Sequence, residues 1–125
     1  MVSRSERKQI RALGNRKDRD AQGLFLAEGV RVVEELLDAG IPVRLSVASP
    51  ALTDSGRGAA LADRLRSAGP VRDVGVGELN ELADTRTNQG VLVVAETPTG
   101  TLDAVPDQGG ATVLLLDGVQ DPGNL

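Results

Sequence analysis

Gly23-Leu24-Phe25-Leu26-Ala27-Glu28-Gly29-Val30-Arg31-Val32-Val33 sets the fold class. The apolar run at 24–27 reads as a short buried strand. After Glu28-Gly29 the apolar period lengthens from strand-like to helix-like. Val30, Val33 and Leu37 fall at i, i+3 and i+7, predicting a helix over 29–39 closed by Gly40. Outward from this unit the same alternation continues. Residues 43–49 predict a second strand and 50–58 a loop. A helix is predicted over 59–68, with Leu61 and Leu65 on one side and Gly69-Pro70 at its end. A weak third strand over 71–74, a short helix over 78–83 and a fourth strand over 91–95 complete the series. Strand and helix in alternation predict an α/β layer architecture with a largely parallel sheet.

Upstream, Ser3-Arg4-Ser5-Glu6 has the form of a capping box. The helix it opens carries Ile10 and Leu13 on one side, has Arg4, Arg7, Lys8 and Arg11 over the rest, and stops at Gly14-Asn15. Residues 16–23 read as a polar, charge-dense loop. Downstream, 97–111 is poor in apolar residues and rich in turn formers, and reads as a linker. Thr112-Val113-Leu114-Leu115-Leu116-Asp117 is a continuous apolar run of the kind found in strands covered on both faces. Such a strand needs neighbours and a crossover. The expectation is therefore one domain over 1–96, a linker over 97–111, and over 112–125 the beginning of a further, truncated domain.

Composition narrows the chemistry. The chain has no Cys and no His, which excludes disulfides, zinc sites of the usual kind, thiol nucleophiles and His-based catalysis, so no metal is expected. Phe25 is the sole aromatic, so bases cannot be stacked on an aromatic platform; any RNA must be held through phosphates, 2′-hydroxyls and shape. No apolar run approaches a membrane span, and a cytoplasmic location is the default expectation. The net charge of −4 is unevenly spread. Residues 1–31 hold eight bases and four acids (+4), and the remainder six bases and fourteen acids (−8). A basic segment of this kind suits phosphate binding, and equally suits the solvated face of a first helix.

Three stretches carry a family likeness. Ile10-Arg11-Ala12-Leu13, Arg16-Lys17-x-Arg19 and Gly23 to Val33 form the first; Asp84-Thr85-x-Thr87-x-Gln89-Gly90 leading into Val91 the second. The third is Leu115-Leu116-Asp117-Gly118-Val119-Gln120-Asp121-Pro122-Gly123-Asn124-Leu125. In order and spacing the chain resembles the SpoU (TrmH) branch of the SPOUT RNA methyltransferases. The resemblance implies a three-layer α/β/α sandwich similar to RNA-binding ribosomal proteins, then a linker and the first strand of a knotted methyltransferase domain. It implies 2′-O-ribose methylation of ribosomal or transfer RNA with S-adenosylmethionine. It further implies a fragment inactive alone, and a homodimer only with the missing C-terminal domain. The alternative is a stand-alone RNA-binding module of ribosomal-protein-like fold.

Under that resemblance Asn124 matches a catalytic-site Asn, while the partner Arg and the cofactor pocket lie beyond Leu125. Arg16, Lys17 and Arg19 are the expected phosphate contacts, against the plainer reading of an exposed charged loop. Arg31 and Arg86 are further candidates. Asn88 and Gln89 either read a base edge or 2′-hydroxyl with their amides or make turn hydrogen bonds. Glu28 is expected to cap the helix that follows it.

Overall fold

The structure is a computed structural model describing residues 1–83 and 87–100. Arg86, Asn124, the strand expected over 112–117 and most of the expected linker lie outside these residues. The elements are α1 (Arg4–Ala12), α2 (Arg16–Gln22), β1 (Leu24–Glu28), α3 (Val30–Asp38), β2 (Val43–Ala48), a 3-10 turn (Pro50–Asp54), α4 (Gly56–Ala68), β3 (Val71–Asp73), α5 (Val76–Ala83) and β4 (Val91–Glu96).

The four strands lie in the order β1-β4-β2-β3. β4 pairs antiparallel with both β1 and β2, and only β2 and β3 are parallel neighbours. This corrects the expectation of a largely parallel sheet. β1, β2 and β3 do run one way, as strand–helix–strand alternation demands, but β4 inserts between β1 and β2 against them. After β3 the chain passes to the other face of the sheet, where α5 packs with α1, and it enters β4 at the edge where β3 finished.

β4 is buried on both faces. Leu92 and Val94 join Ile10, Leu13, Leu79 and Leu82 beneath α1 and α5, while Val91, Val93 and Ala95 join Val33, Leu36, Leu61 and Leu65 beneath α3 and α4. The result is three layers, α1 and α5 on one side of the sheet and α3 and α4 on the other. Leu61 and Leu65 are core residues as their spacing predicts; on α3 Val33 is fully enclosed, and Leu36 is more buried than the expected Leu37. Phe25 packs into the α3–α4 side, so the chain's one aromatic ring is part of the framework.

Residues 16–22, expected as loop, are helical. No residue of α2 is buried, so no apolar period announces it. Its ends supply the order instead. The Asn15 side chain accepts from the Lys17 N–H at 2.9 Å. Gly23 closes the helix in the left-handed region at φ 64, its N–H bonded to the Arg19 carbonyl. α1 is secured as its sequence suggests, with the Ser3 hydroxyl accepting from the Glu6 N–H and the Glu6 carboxylate accepting from the Ser3 N–H. The Ser3 N–H, and then Arg72, hold the Glu6 carboxyl below its ordinary range.

Candidate nucleic-acid interface

Strand direction collects the interesting chemistry at one edge. The carboxyl ends of β1, β2 and β3 and the amino end of β4 share it. In spatial order it carries Glu28-Gly29, the turn at 88–90, Ala48-Ser49 and Asp73-Val74. Three strand spacings make this edge about 14 Å wide. Sheets with co-directional strands bind ligands outside their carboxyl ends, where connections part to either side.

Asn88 and Gln89 divide the two roles offered for them. Asn88 is 3% exposed; its amide donates to Asn80 Oδ1 and its Oδ1 accepts from the Gly90 N–H, both at 2.8 Å. It is a framework residue of the turn. Gln89 is exposed and adopts φ 56, a left-handed conformation costing a non-glycine residue about 1 kcal/mol. That geometry aims Gln89 Oε1 at the Val30 N–H, 2.8 Å away and 59 residues distant in sequence. Gln89 thus satisfies an open donor at the start of α3, a role the sequence assigns to Glu28. Gly29, the residue at the cap position, makes no side-chain bond, and Glu28 ends β1 instead.

Glu28 is half-buried and lines a recess of about 420 Å³ together with Arg19, Leu13, Gly14, Phe25 and Ala83. Burial raises its carboxyl above the ordinary 4.5. A raised acid favours the protonated folded state, so Glu28 costs stability as pH climbs through and above the normal glutamate range. Glu28→Gln should therefore be more stable than the parent at pH 7, with the difference fading at acid pH. Urea midpoints at the two pH values measure this, and a variant no more stable at neutral pH would refute it.

Arg19 sits in that recess with Nη1 donating to the Leu13 carbonyl at 3.1 Å, which ties α2 to the end of α1. Arg16 and Lys17 are exposed on the first turn of α2. Arg16 has a loose contact with Asp20 at 3.8 Å. Arg31 is not drawn into this group; it lies along α3 with Nε 3.4 Å from Glu35.

The ion pairs sort the cations. Every described arginine from 31 to 72 has a carboxylate partner: Arg31–Glu35, Arg44–Glu96, Arg57–Glu34, Arg64–Asp38, Arg66–Asp73 and Arg72–Glu6. Arg7 pairs with Glu78 at 2.6 Å. Among the described residues the cations outside any ion pair are Arg4, Lys8, Arg11, Lys17 and Arg19, all on α1 and α2. Arg4, Lys8 and Arg11 were not singled out from sequence. Their i, i+4, i+7 spacing, on the side away from Ile10 and Leu13, is the signal that finds them.

Fold and ion pairs together define a small α/β domain whose unpaired positive charge, among the described residues, lies on the first two helices. The chain belongs to the family of MRM3-like substrate binding domains, which it matches over residues 5–93. No curated protein matches it in sequence. Among solved structures it is similar to an AdoMet-bound rRNA methyltransferase from Sinorhizobium meliloti, at 25% identity and TM-score 0.68 over 88% of this chain and 41% of that one. It is similar to the SpoU methyltransferase AviRb from Streptomyces viridochromogenes, at 28% identity and TM-score 0.69 over 85% and 40%. An RNA 2′-O ribose methyltransferase matches at 25% identity and TM-score 0.72 over 99% and 46%. The SpoU/TrmH likeness read from the sequence is thus borne out. The chain spans less than half the length of each of these structures.

Proposed function

We propose that this domain recognises RNA, ribosomal or transfer, for an S-adenosylmethionine-dependent 2′-O-ribose methyltransferase. The segregation of unpaired cations on α1 and α2 carries this reading. A protein of net charge −4 that neutralises its other described arginines internally keeps a local field attractive to phosphate. Family membership and the RNA methyltransferases among the similar structures support the same reading. In this reading Arg16, Lys17 and Arg19 neutralise phosphates and fix the RNA's position, while Gln89 at the neighbouring turn offers a directional contact. On the resemblance Asn124 belongs to the part of such an enzyme that holds the cofactor. The described residues then bind and orient RNA, and methyl transfer is left to that part of the enzyme. No described helix is long and apolar enough to cross a membrane, and a cytoplasmic setting suits the proposed substrate.

Replacing Arg16, Lys17 and Arg19 together by Ala should weaken RNA binding alike for all sequences. It should also reduce the slope of log K against log salt by about 2 to 3, since each phosphate contact contributes about 0.9. Arg16→Ala/Lys17→Ala, which spares the Arg19 bond to Leu13, should show about two-thirds of the effect. Fluorescence anisotropy with a ribosomal RNA fragment at several salt concentrations reads both. Unaltered affinity and slope in both variants would rule these residues out.

A further inference from the structure

We infer that α1 is a track for double-helical RNA, held by phosphate contacts from Arg4, Lys8 and Arg11. This rests on the RNA-recognition reading above and names the form of RNA it takes. At about 100° and 1.5 Å per residue, the three cations fall within roughly 60° of one another over some 10 Å of helix, about opposite Ile10 and Leu13. All three are exposed and, among the described residues, in no ion pair. Two of the nearby acids are engaged elsewhere: Glu6 is turned to Arg72 and Glu78 to Arg7, in ion pairs whose side chains are all at most 38% exposed. Asp18 of α2 lines a recess with Lys8, so it tempers the field at the middle of the stripe and leaves its two arginine ends.

Those same pairs pin α1 to β3 and α5, and Ile10 anchors it in the core, so the helix that carries the stripe is held in place before any ligand arrives. A fixed, straight array suits a partner that is itself stiff and densely charged. By the spacing of charges along DNA, a duplex presents a phosphate about every 1.7 Å of axis against about 3.4 Å for one strand, so 10 Å of stripe faces roughly twice the charge. A flexible strand must also be ordered along the stripe, and bases stacking on aromatic rings would ordinarily offset that cost. This chain's only ring, Phe25, is partly buried and packed against the α3–α4 cluster. Duplex RNA is recognised through shape, phosphates and 2′-hydroxyls, which is what an Arg-Lys-Arg stripe can contact. The stripe also points the right way. It runs toward the end of α1 where Leu13 and Gly14 line the recess beside Glu28. A stem lying on α1 therefore leads its end to the sheet edge that carries Gln89.

The test compares an RNA hairpin stem with an unpaired RNA of equal length and composition, by anisotropy with the full 125-residue chain. The stem should bind at least tenfold tighter. In Arg4→Ala/Lys8→Ala/Arg11→Ala its slope should fall by about 2.7, so the affinity lost between about 50 and about 200 mM salt shrinks some fortyfold. The double variant Arg4→Lys/Arg11→Lys, which keeps the charge, should retain the slope. Equal or tighter binding of the unpaired RNA, or an unchanged slope in the Ala variant, overturns the duplex track while RNA recognition stands. Failure of both RNAs to bind overturns the recognition reading itself.

Discussion

Gly58→Ala is expected to cost about 3 to 5 kcal/mol, a large part of a domain's stability. A Cβ at this position would overlap the carbonyl oxygen of Leu52 and approach the Leu52 carbonyl carbon to 2.9 Å. Both are main-chain atoms, in the 3-10 turn whose Leu52 side chain is 1% exposed, so neither can rotate aside. The first turn of α4 must lift from the sheet or the 3-10 turn must break. Thermal unfolding should show a midpoint lowered by about 12 to 40 °C, at about 4 to 8 °C per kcal/mol for a domain this size. Gly77→Ala is the matched control: it lies within α5 with nothing within 4 Å of the added carbon. It should be neutral or stabilising by up to about 1 kcal/mol. Equal behaviour of the two variants would refute the packing argument.

Gly90→Ala is expected to cost about 2 to 4 kcal/mol, through strain as well as contact. Gly90 adopts φ 86, which a side chain tolerates poorly, and its Cβ would stand 2.5 Å from the Leu52 nitrogen and 3.0 Å from Ser49 Oγ. Leu52 is thus clasped between Gly58 on one side and Gly90 on the other. Displacing Gly90 also displaces Gln89, which caps α3 from the adjoining position. The variant should therefore lose hydrogen-exchange protection at the Val30 amide beyond its global destabilisation. A Val30 amide that stays protected in a destabilised variant would separate the turn from the cap and count against the linkage.

Sequence carried the fold where burial leaves a period. The α3 stripe, the Leu61/Leu65 pair and the capping box of Ser3 and Glu6 all rest on local spacing, and the three-layer sandwich followed from them with the help of a family likeness. α2 escaped because its helix depends on its ends, Asn15 and Gly23, and on an Arg19 bond to a carbonyl six residues back. The direction of β4 escaped because alternation counts elements without showing that α5 lies on the face of the sheet opposite α3 and α4. At the site, Lys17 and Arg19 are where the sequence puts the positive charge. Which other cations remain unpaired was not legible. Arg7 is matched by Glu78 and Arg57 by Glu34, and only folding brings such residues together. The roles of Asn88 and Gln89 stayed open for the same reason, since one is decided by burial and the other by a helix 59 residues away.

That distant cap has a corollary for what the turn can discriminate. With one lone pair of its oxygen committed to Val30, Gln89 offers an incoming molecule both NH2 protons and a single remaining lone pair. An amide bound in this way favours acceptors: phosphate oxygens, ribose oxygens, purine N7 or base carbonyls meet two free protons, whereas an exocyclic amine meets one lone pair. A nucleotide that pulled the oxygen away from Val30 would leave the start of α3 with an open N–H, a built-in penalty against that polarity.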